Sequence, residues 1–411
     1  MKLTYRHTLF ACYLSYIVQA IVNNLPPLLY VIFQKQLGIG LWQISLLITC
    51  NFALQICIDL CSTFFIDRIG YRASILLATA TTAFGLAGFA LLPRILPDKF
   101  LALAIATFLC AVGGGLIEVV VSPTVEALPG DEKSAAMNIL HSFYCWGQAG
   151  VILLSTAFFL LLGEEHWYIL PLLWTAVPIF TFALFTSVPV RVLPTEGDST
   201  TFRSLFGQRI FLILCVLMIC SGAGELAMAQ WASLFAEEGL HVPKAVGDLL
   251  GPCLFAVFMG TARLLFGIFG KRMKFERWML ASFCLGVFSY LLTALSPVPM
   301  LSLIGCALCG LSVALLWPGL YSLGAKLLPG VGTLMFALFA FCGDIGCTLG
   351  PNIVGWVSTA VENGALPELA AWIGGDVTEA GLKIGMLFAA LIPTVGIIFT
   401  LLLLRAKKKR K

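Results

Sequence analysis

Six ionisable residues lie inside long apolar stretches of this chain: Asp59, Glu118, His141, Glu225, Arg263 and Asp344. A charge carried into lipid costs about 2.5–3.5 kcal/mol on insertion scales, so each of them needs a reason to be there. Four are acids and one is a firm base. That excess of acid suits the loading and release of a cation, a proton or sodium, better than the capture of an anion. Glu118, Glu225 and Asp344 are the candidate proton-coupling groups. Each also has a plainer reading, a protonated carboxyl satisfied by a neighbouring helix. Asp59 lies nearer the end of its stretch, and Arg263 is expected to form a structural ion pair with it. Aromatic rings stand close to the acids. Trp231 follows Glu225 by six residues, Trp146 follows Tyr144 by two, and Trp317 precedes Pro318. Such rings can stack on the apolar face of a sugar, or simply pack and belong to the interfacial belt. The cysteines offer no metal chemistry. Cys57 and Cys61 stand at i, i+4, and Cys306 and Cys309 form a lone CxxC without a second pair or a histidine cluster. They read as small apolar packing residues, and no metal or cofactor beyond the coupling ion is expected.

The elements that must position these residues follow from composition. Of 411 residues, 60% are hydrophobic and 11% charged, where a soluble domain carries about 25% charged residues. Mean hydropathy is +0.98. Twelve stretches reach the length of roughly 20 residues that a spanning helix needs. They fall at about 8–33, 41–66, 73–93, 100–126, 137–162, 167–190, 210–235, 247–270, 278–295, 301–323, 333–358 and 384–404. The first is too long for a signal-peptide core and lacks a small-residue cleavage site, so it reads as a span. The fold class is therefore an all-α membrane protein of twelve transmembrane helices.

The basic residues orient the chain. With the N-terminus inside, nineteen lysines and arginines fall on cytoplasmic segments and five on outer loops, which places both termini in the cytoplasm. The tail RAKKKRK then rests on anionic headgroups. The longest polar cytoplasmic stretch, RVLPTEGDSTTFRSLFGQR, divides six spans from six. The expected organisation is a bundle at 1–190, a linker at 191–209, and a second bundle with the basic tail at 210–411.

The two halves align with one another. Gly115-Leu116 followed by Pro123 in the fourth span matches Gly310-Leu311 followed by Pro318 in the tenth. Gly147 and Gly150 of the fifth match Gly343 and Gly346 of the eleventh. Matching Phe33 to Phe235 lays Asn23 on Glu225. Parallel six-helix repeats of this kind hold their substrate at the repeat interface near mid-membrane.

Between the second and third spans runs Asp67-Arg68-Ile69-Gly70-Tyr71-Arg72. It resembles the loop signature G-x-x-x-D-R-x-G-R-R of the major facilitator superfamily, with Thr63 in place of the first glycine and Tyr71 in place of an arginine. Gly70 permits the tight turn, Arg68 and Arg72 hold the loop in the cytoplasm, and Asp67 can bias one conformation by pairing with a helix N-terminus or a basic neighbour. A degenerate counterpart, Gly270-Lys271-Arg272, stands in the second half.

A narrower resemblance rests on three spans. The fourth reads Gly113-Gly114-Gly115-Leu116-Ile117-Glu118, the fifth Asn138-Ile139-Leu140-His141-Ser142-Phe143-Tyr144-Cys145-Trp146-Gly147, and the first Asn23-Asn24-Leu25-Pro26-Pro27. These resemble the fucose permease branch of the superfamily, whose fourth helix reads G-L-x-x-x-E, fifth N-L-x-Q-x-F-N-x-F-G, and first N-N-L-N-D. The resemblance implies that Glu118 is a membrane-embedded proton carrier and that His141 and Tyr144 line the cavity. Pro27 stands where the branch has a second protonatable aspartate, which puts a two-carboxylate relay in doubt. His141 and Tyr144 replace amides, which puts fucose itself in doubt.

The expected function is cation-coupled import of a small neutral solute, a sugar or polyol, by two halves rocking about a central site. The candidate substrate contacts are Asn23, Asn24, Glu118, His141, Tyr144, Trp146, Glu225, Trp231 and Trp317. The expected setting is a monomer in a plasma membrane, the inner membrane of a bacterium, with lipid and solute but no nucleic acid as partners. The alternative is an efflux antiporter of the same fold. Drug antiporters carry a glycine–proline element in the fifth helix. Here such an element, Gly346-x-x-x-Gly350-Pro351-x-x-x-Gly355, lies in the eleventh span and the fifth lacks the proline, which weighs against efflux. No HExxH, rhomboid-type GxSG or phosphate loop is present to support an enzyme.

Overall fold

A chain in lipid must satisfy every backbone N–H and C=O within itself, and a helix does so segment by segment. The computed structural model describes residues 4–129, 133–190, 205–269, 275–328 and 332–408. At some helical positions, Asp59, Asp67 and Arg68 among them, only the backbone is described. Among the described residues, twelve helical segments are long and apolar enough to cross a membrane. In chain order they are Tyr5–Leu37, Leu41–Ile58, Tyr71–Ile95, Lys99–Ser122, Ile139–Leu162, Ile169–Ser187, Arg209–Gly239, Lys244–Phe266, Phe275–Leu295, Pro299–Tyr321, Leu338–Glu362 and Val377–Lys408. The fold is thus the expected all-α, twelve-span membrane architecture. Of the expected linker, residues 191–204 lie outside the described residues, as do the last three residues of the tail.

Two spans depart from the sequence reading in ways that matter. The tenth is broken. One helix runs Pro299–Val313 and a second Leu316–Leu327, with Ala314 and Leu315 as a turn between them. Pro318 lies just beyond, and a proline has no N–H to donate to the carbonyl four residues back. The twelfth starts at Val377 rather than near 384. Its first turns are polar, but the Asp376 side chain caps the Glu379 N–H at 2.8 Å, and Lys383 pairs with Glu379 at 2.7 Å. Capping and an i, i+4 pair hold helix where hydropathy alone places none.

The chain divides into two compact units, Met1–Thr195 and Glu196–Lys411. In the first unit the fourth span is central, and its three consecutive glycines each face a different helix. An added Cβ at Gly113 would sit 2.0 Å from Thr82 Oγ1 of the third span. One at Gly114 would sit 2.9 Å from Gln19 Oε1 of the first, and one at Gly115 3.0 Å from Ile58 Cβ of the second. Glycine is a weak helix former, yet in a membrane small residues let backbones approach closely. The run therefore brings the helix carrying Glu118 against three neighbours at once. In the second unit the seventh and eleventh spans approach closely. A Cβ at Gly346 would lie 2.1 Å from the Ile219 carbonyl oxygen, and one at Gly350 2.2 Å from that of Ala223.

Candidate functional site

In the first unit the polar side chains converge on the first span. Gln19 and Asn23 stand at i, i+4, hence on one face. Asn51 and Gln55 repeat that spacing on the second span. All four are buried. Asn23 Oδ1 accepts from Asn51 Nδ2 at 3.2 Å and from Gln55 Nε2 at 3.3 Å. Gln19 Nε2 donates to Gln55 Oε1 at 3.1 Å and to Glu118 Oε2 at 3.5 Å. Glu118, half-buried in the fourth span, is thus joined to a chain of neutral amides.

The fifth span approaches the same helix. Asn24 Nδ2 donates to Ala20 O at 2.9 Å and to Tyr144 Oη at 3.5 Å. The ring of His141 meets Tyr16 edge-on with centroids 5.2 Å apart, and the Tyr16 hydroxyl lies 2.8 Å from Ser122 Oγ. Phe143 stacks on Tyr13 at 4.4 Å. The structure therefore gathers Asn23, Asn24, Glu118, His141 and Tyr144 about one helix. Trp146 is not among them. It is exposed on an outward stripe with Ile139, Leu153 and Leu160, two residues and some 200° round the helix from Tyr144.

The second unit is built differently. Glu225 is buried in the seventh span, and its Oε2 lies 3.7 Å from Arg263 Nη2 of the eighth. The same guanidinium donates from Nε to the Ala314 carbonyl at 3.0 Å. Arg263 thus pairs with Glu225. The acid expected beside it, Asp59, belongs to the first unit, at a position whose side chain lies outside the described residues. Asp344 is buried in the eleventh span.

Of the two tryptophans expected here as sugar platforms, Trp231 is fully buried and its indole N–H donates to the Pro351 carbonyl at 2.9 Å. Ring and donor are both spent on packing the seventh span against the eleventh. Trp317 is half-buried over Gly343, where an added Cβ would fall 2.2 Å from its ring, and it tilts against Tyr321 at 6.3 Å.

The loop between the second and third spans turns at Gly70, whose φ of 84° is a conformation that favours glycine. Arg72 caps the end of the sixth span. Its Nη1 donates to Phe185 O at 2.9 Å and Thr186 O at 2.8 Å, and its Nη2 to Val188 O at 2.6 Å. A guanidinium at a helix C-terminus both fills the orphan carbonyls and meets the negative end of the dipole. The side chains of Asp67 and Arg68 lie outside the described residues.

Sequence reasoning missed Gln19, Asn51, Gln55 and Tyr16. The search for charges passed over neutral amides, although an amide in lipid also demands a partner. The signal was available in the two i, i+4 amide pairs on neighbouring spans.

Against known proteins, the chain matches the family model described as Major Facilitator Superfamily over residues 10–351. No curated protein matches it in sequence. Among solved structures it resembles a bacterial homolog of the human lysosomal transporter Spinster, in an inward-facing and occupied conformation. That likeness has TM-score 0.73 and 16% identity, over 98% of this chain and 97% of that one. It resembles the E. coli fucose:proton symporter FucP with TM-score 0.65 and 17% identity, over 96% and 98%. It resembles the nucleoside transporter NupG with TM-score 0.72 and 13% identity, over 97% and 98%. At such identities the likeness is one of fold, and it does not single out the fucose permease branch. The chain belongs to the major facilitator superfamily, and it is a secondary active, alternating-access transporter rather than an enzyme.

Proposed function

We propose that the protein carries a small, neutral, hydroxyl-rich solute, a sugar or polyol, by proton symport, with Glu118 as the coupling carboxyl. The observation that supports this most is the amide setting of Glu118, through Gln19 to Gln55, Asn23 and Asn51. An amide both donates and accepts, as a hydroxyl does. A panel of amides can therefore exchange partners with sugar hydroxyls without stranding a buried group, which would cost about 1–3 kcal/mol. An anionic solute asks instead for a cation inside the spans. Arg263 is already engaged by Glu225 and Ala314. The motifs of the first, fourth and fifth spans, and the fold shared with a fucose:proton symporter, agree with this reading. The cytoplasmic weight of the basic residues favours both termini inside, and we take the protein as a monomeric importer of a plasma membrane, bacterial in type.

Glu118 lies half-buried beside a donor that is neutral. A bare carboxylate sealed from water is costly, so occlusion favours the protonated, solute-loaded form. Glu118→Gln mimics that form permanently. In reconstituted vesicles it should keep solute counterflow, which needs only the loaded step, and lose accumulation driven by a pH gradient. Continued accumulation would remove Glu118 from the role. A panel of sugars, polyols and nucleosides offered to the same vesicles tests the solute class. If none is transported while drug-like compounds are expelled, the antiporter reading replaces this one.

A further inference from the structure

The contacts of Arg263 carry an inference that does not depend on which solute is carried. Pro318 deprives Ala314 of its helical donor, because residue 318 is the one whose N–H would reach the carbonyl of residue 314. The tenth span breaks at that point, at Ala314 and Leu315. A carbonyl left unpaired inside a membrane costs several kcal/mol, so the break requires a donor from elsewhere. Arg263 Nε supplies it at 3.0 Å. The eighth span can come close enough because Gly310, one turn before Ala314, lies against the Phe255 backbone. A Cβ there would fall 2.1 Å from the Phe255 carbonyl oxygen. The guanidinium is itself largely buried and would be an isolated charge, but Glu225 stands 3.7 Å from its Nη2.

We propose that Arg263 is a positioning residue. It replaces the donor missing at the break of the tenth span, and Glu225 holds it in place. Glu225 is on this account a fixed counter-charge rather than a proton carrier, and the three groups form a clamp linking the seventh, eighth and tenth spans. The geometry uses a property that only arginine has, a planar fork that fixes separate nitrogen donors side by side, here Nε for the carbonyl and Nη2 for the carboxylate. A lysine has one compact ammonium on a flexible stem and lacks that fixed pair of nitrogens, so it holds the two acceptors less well.

The test is whether restoring the missing N–H makes Arg263 dispensable. In full-length protein, hydrogen–deuterium exchange of peptides covering residues 310–322 reads the break directly, and counterflow reads transport. Arg263→Gln should raise exchange there by at least tenfold and slow counterflow by a similar factor. Arg263→Lys should show an intermediate rise. Adding Pro318→Ala, which gives residue 318 a backbone N–H, should return exchange to near the parent level and recover most of the transport. Glu225→Ala, which touches neither the break nor the proline, should also raise exchange over 310–322. A purely structural role for Arg263 in general folding predicts no rescue by a backbone N–H restored at residue 318. Failure of Pro318→Ala to rescue, or unchanged exchange in Glu225→Ala, overturns the proposal. If Pro318→Ala does not express, Pro318→Ser restores the same N–H, and the Glu225→Ala measurement decides without either.

Discussion

The two units hold their membrane acids in opposite ways. In the first, Glu118 lies half-buried and meets an amide in a network of amides. In the second, Glu225 is buried against a guanidinium that also closes a helix break. The difference bears on what each acid can do. A carboxyl among neutral dipoles can change charge without stranding an opposite charge beside it. One in a buried ion pair does not, because its neutralisation leaves the guanidinium uncompensated in a medium of low dielectric. Aligned repeats thus place related helices while holding their acids in different surroundings. The acids do not even align: Glu225 falls on Asn23, and Glu118 falls on Val313 when Gly115 is laid on Gly310.

The sharpest way to break this comparison is to remove one partner of the ion pair. Glu225→Ala or Arg263→Ala leaves a buried charge without its mate, which we expect to cost about 3–5 kcal/mol. Replacing both residues by methionine should restore all but the share due to the Ala314 carbonyl. Glu118→Gln, by contrast, swaps a carboxyl for another amide in an amide network and should stay within about 1 kcal/mol. Thermal unfolding in detergent ranks the four variants. Equal losses for Glu118→Gln and Glu225→Ala would abolish the distinction between the units.

A smaller effect separates two glycines that the repeat pairs with each other. Gly346 lies against the Ile219 backbone, whereas Gly150 has no atom within 4 Å of where its Cβ would be. Gly346→Ala must push the seventh and eleventh spans apart, and overpacking of this kind costs about 1–3 kcal/mol. Gly150→Ala meets open space and should be neutral or should gain up to about 1 kcal/mol from helix propensity. The same melting assay distinguishes them. A loss at Gly150 as large as that at Gly346 would mean that packing, like position, follows the repeat.

These contrasts also mark what the sequence could and could not convey. Span number was legible because hydropathy and helix length are set by the same bilayer. The acids were legible because a charge in lipid is conspicuous. The start of the twelfth span was not, since Asp376, Glu379 and Lys383 make it helical through local polar contacts that hydropathy scores against. The partner of Arg263 was not legible either. Pairing depends on which helices a Gly310-sized gap lets together, and that is a fact of three dimensions. Trp231 and Trp146 stand near Glu225 and Tyr144 in sequence. One is used up as a packing donor, and the other points away by the turn of its helix. Pro318 was legible as a helix breaker, but only the structure reveals the donor that answers it.

The smallest effects belong to the amide network, and they sharpen the comparison most finely. Gln55 is its central member, accepting from Gln19 and donating to Asn23. Each of these bonds replaces a bond that the unfolded chain finds elsewhere, so the net value of each is about 0.5–1.5 kcal/mol. Gln19→Ala and Gln55→Ala should each destabilise by that order. Their double variant should lose less than the sum, since the second change removes a partner already gone. Function should respond more than stability does. If the panel exchanges partners with solute hydroxyls, Gln55→Ala weakens solute binding severalfold. Trp146→Ala, on the outward stripe of the same unit, leaves affinity unchanged and shifts stability by no more than about 0.5 kcal/mol. Equilibrium binding on purified protein, measured beside unfolding, separates the two readouts. Strict additivity of Gln19→Ala and Gln55→Ala, with affinity intact in both, would leave the amides as helix glue and take the hydroxyl-reading role away from the first unit.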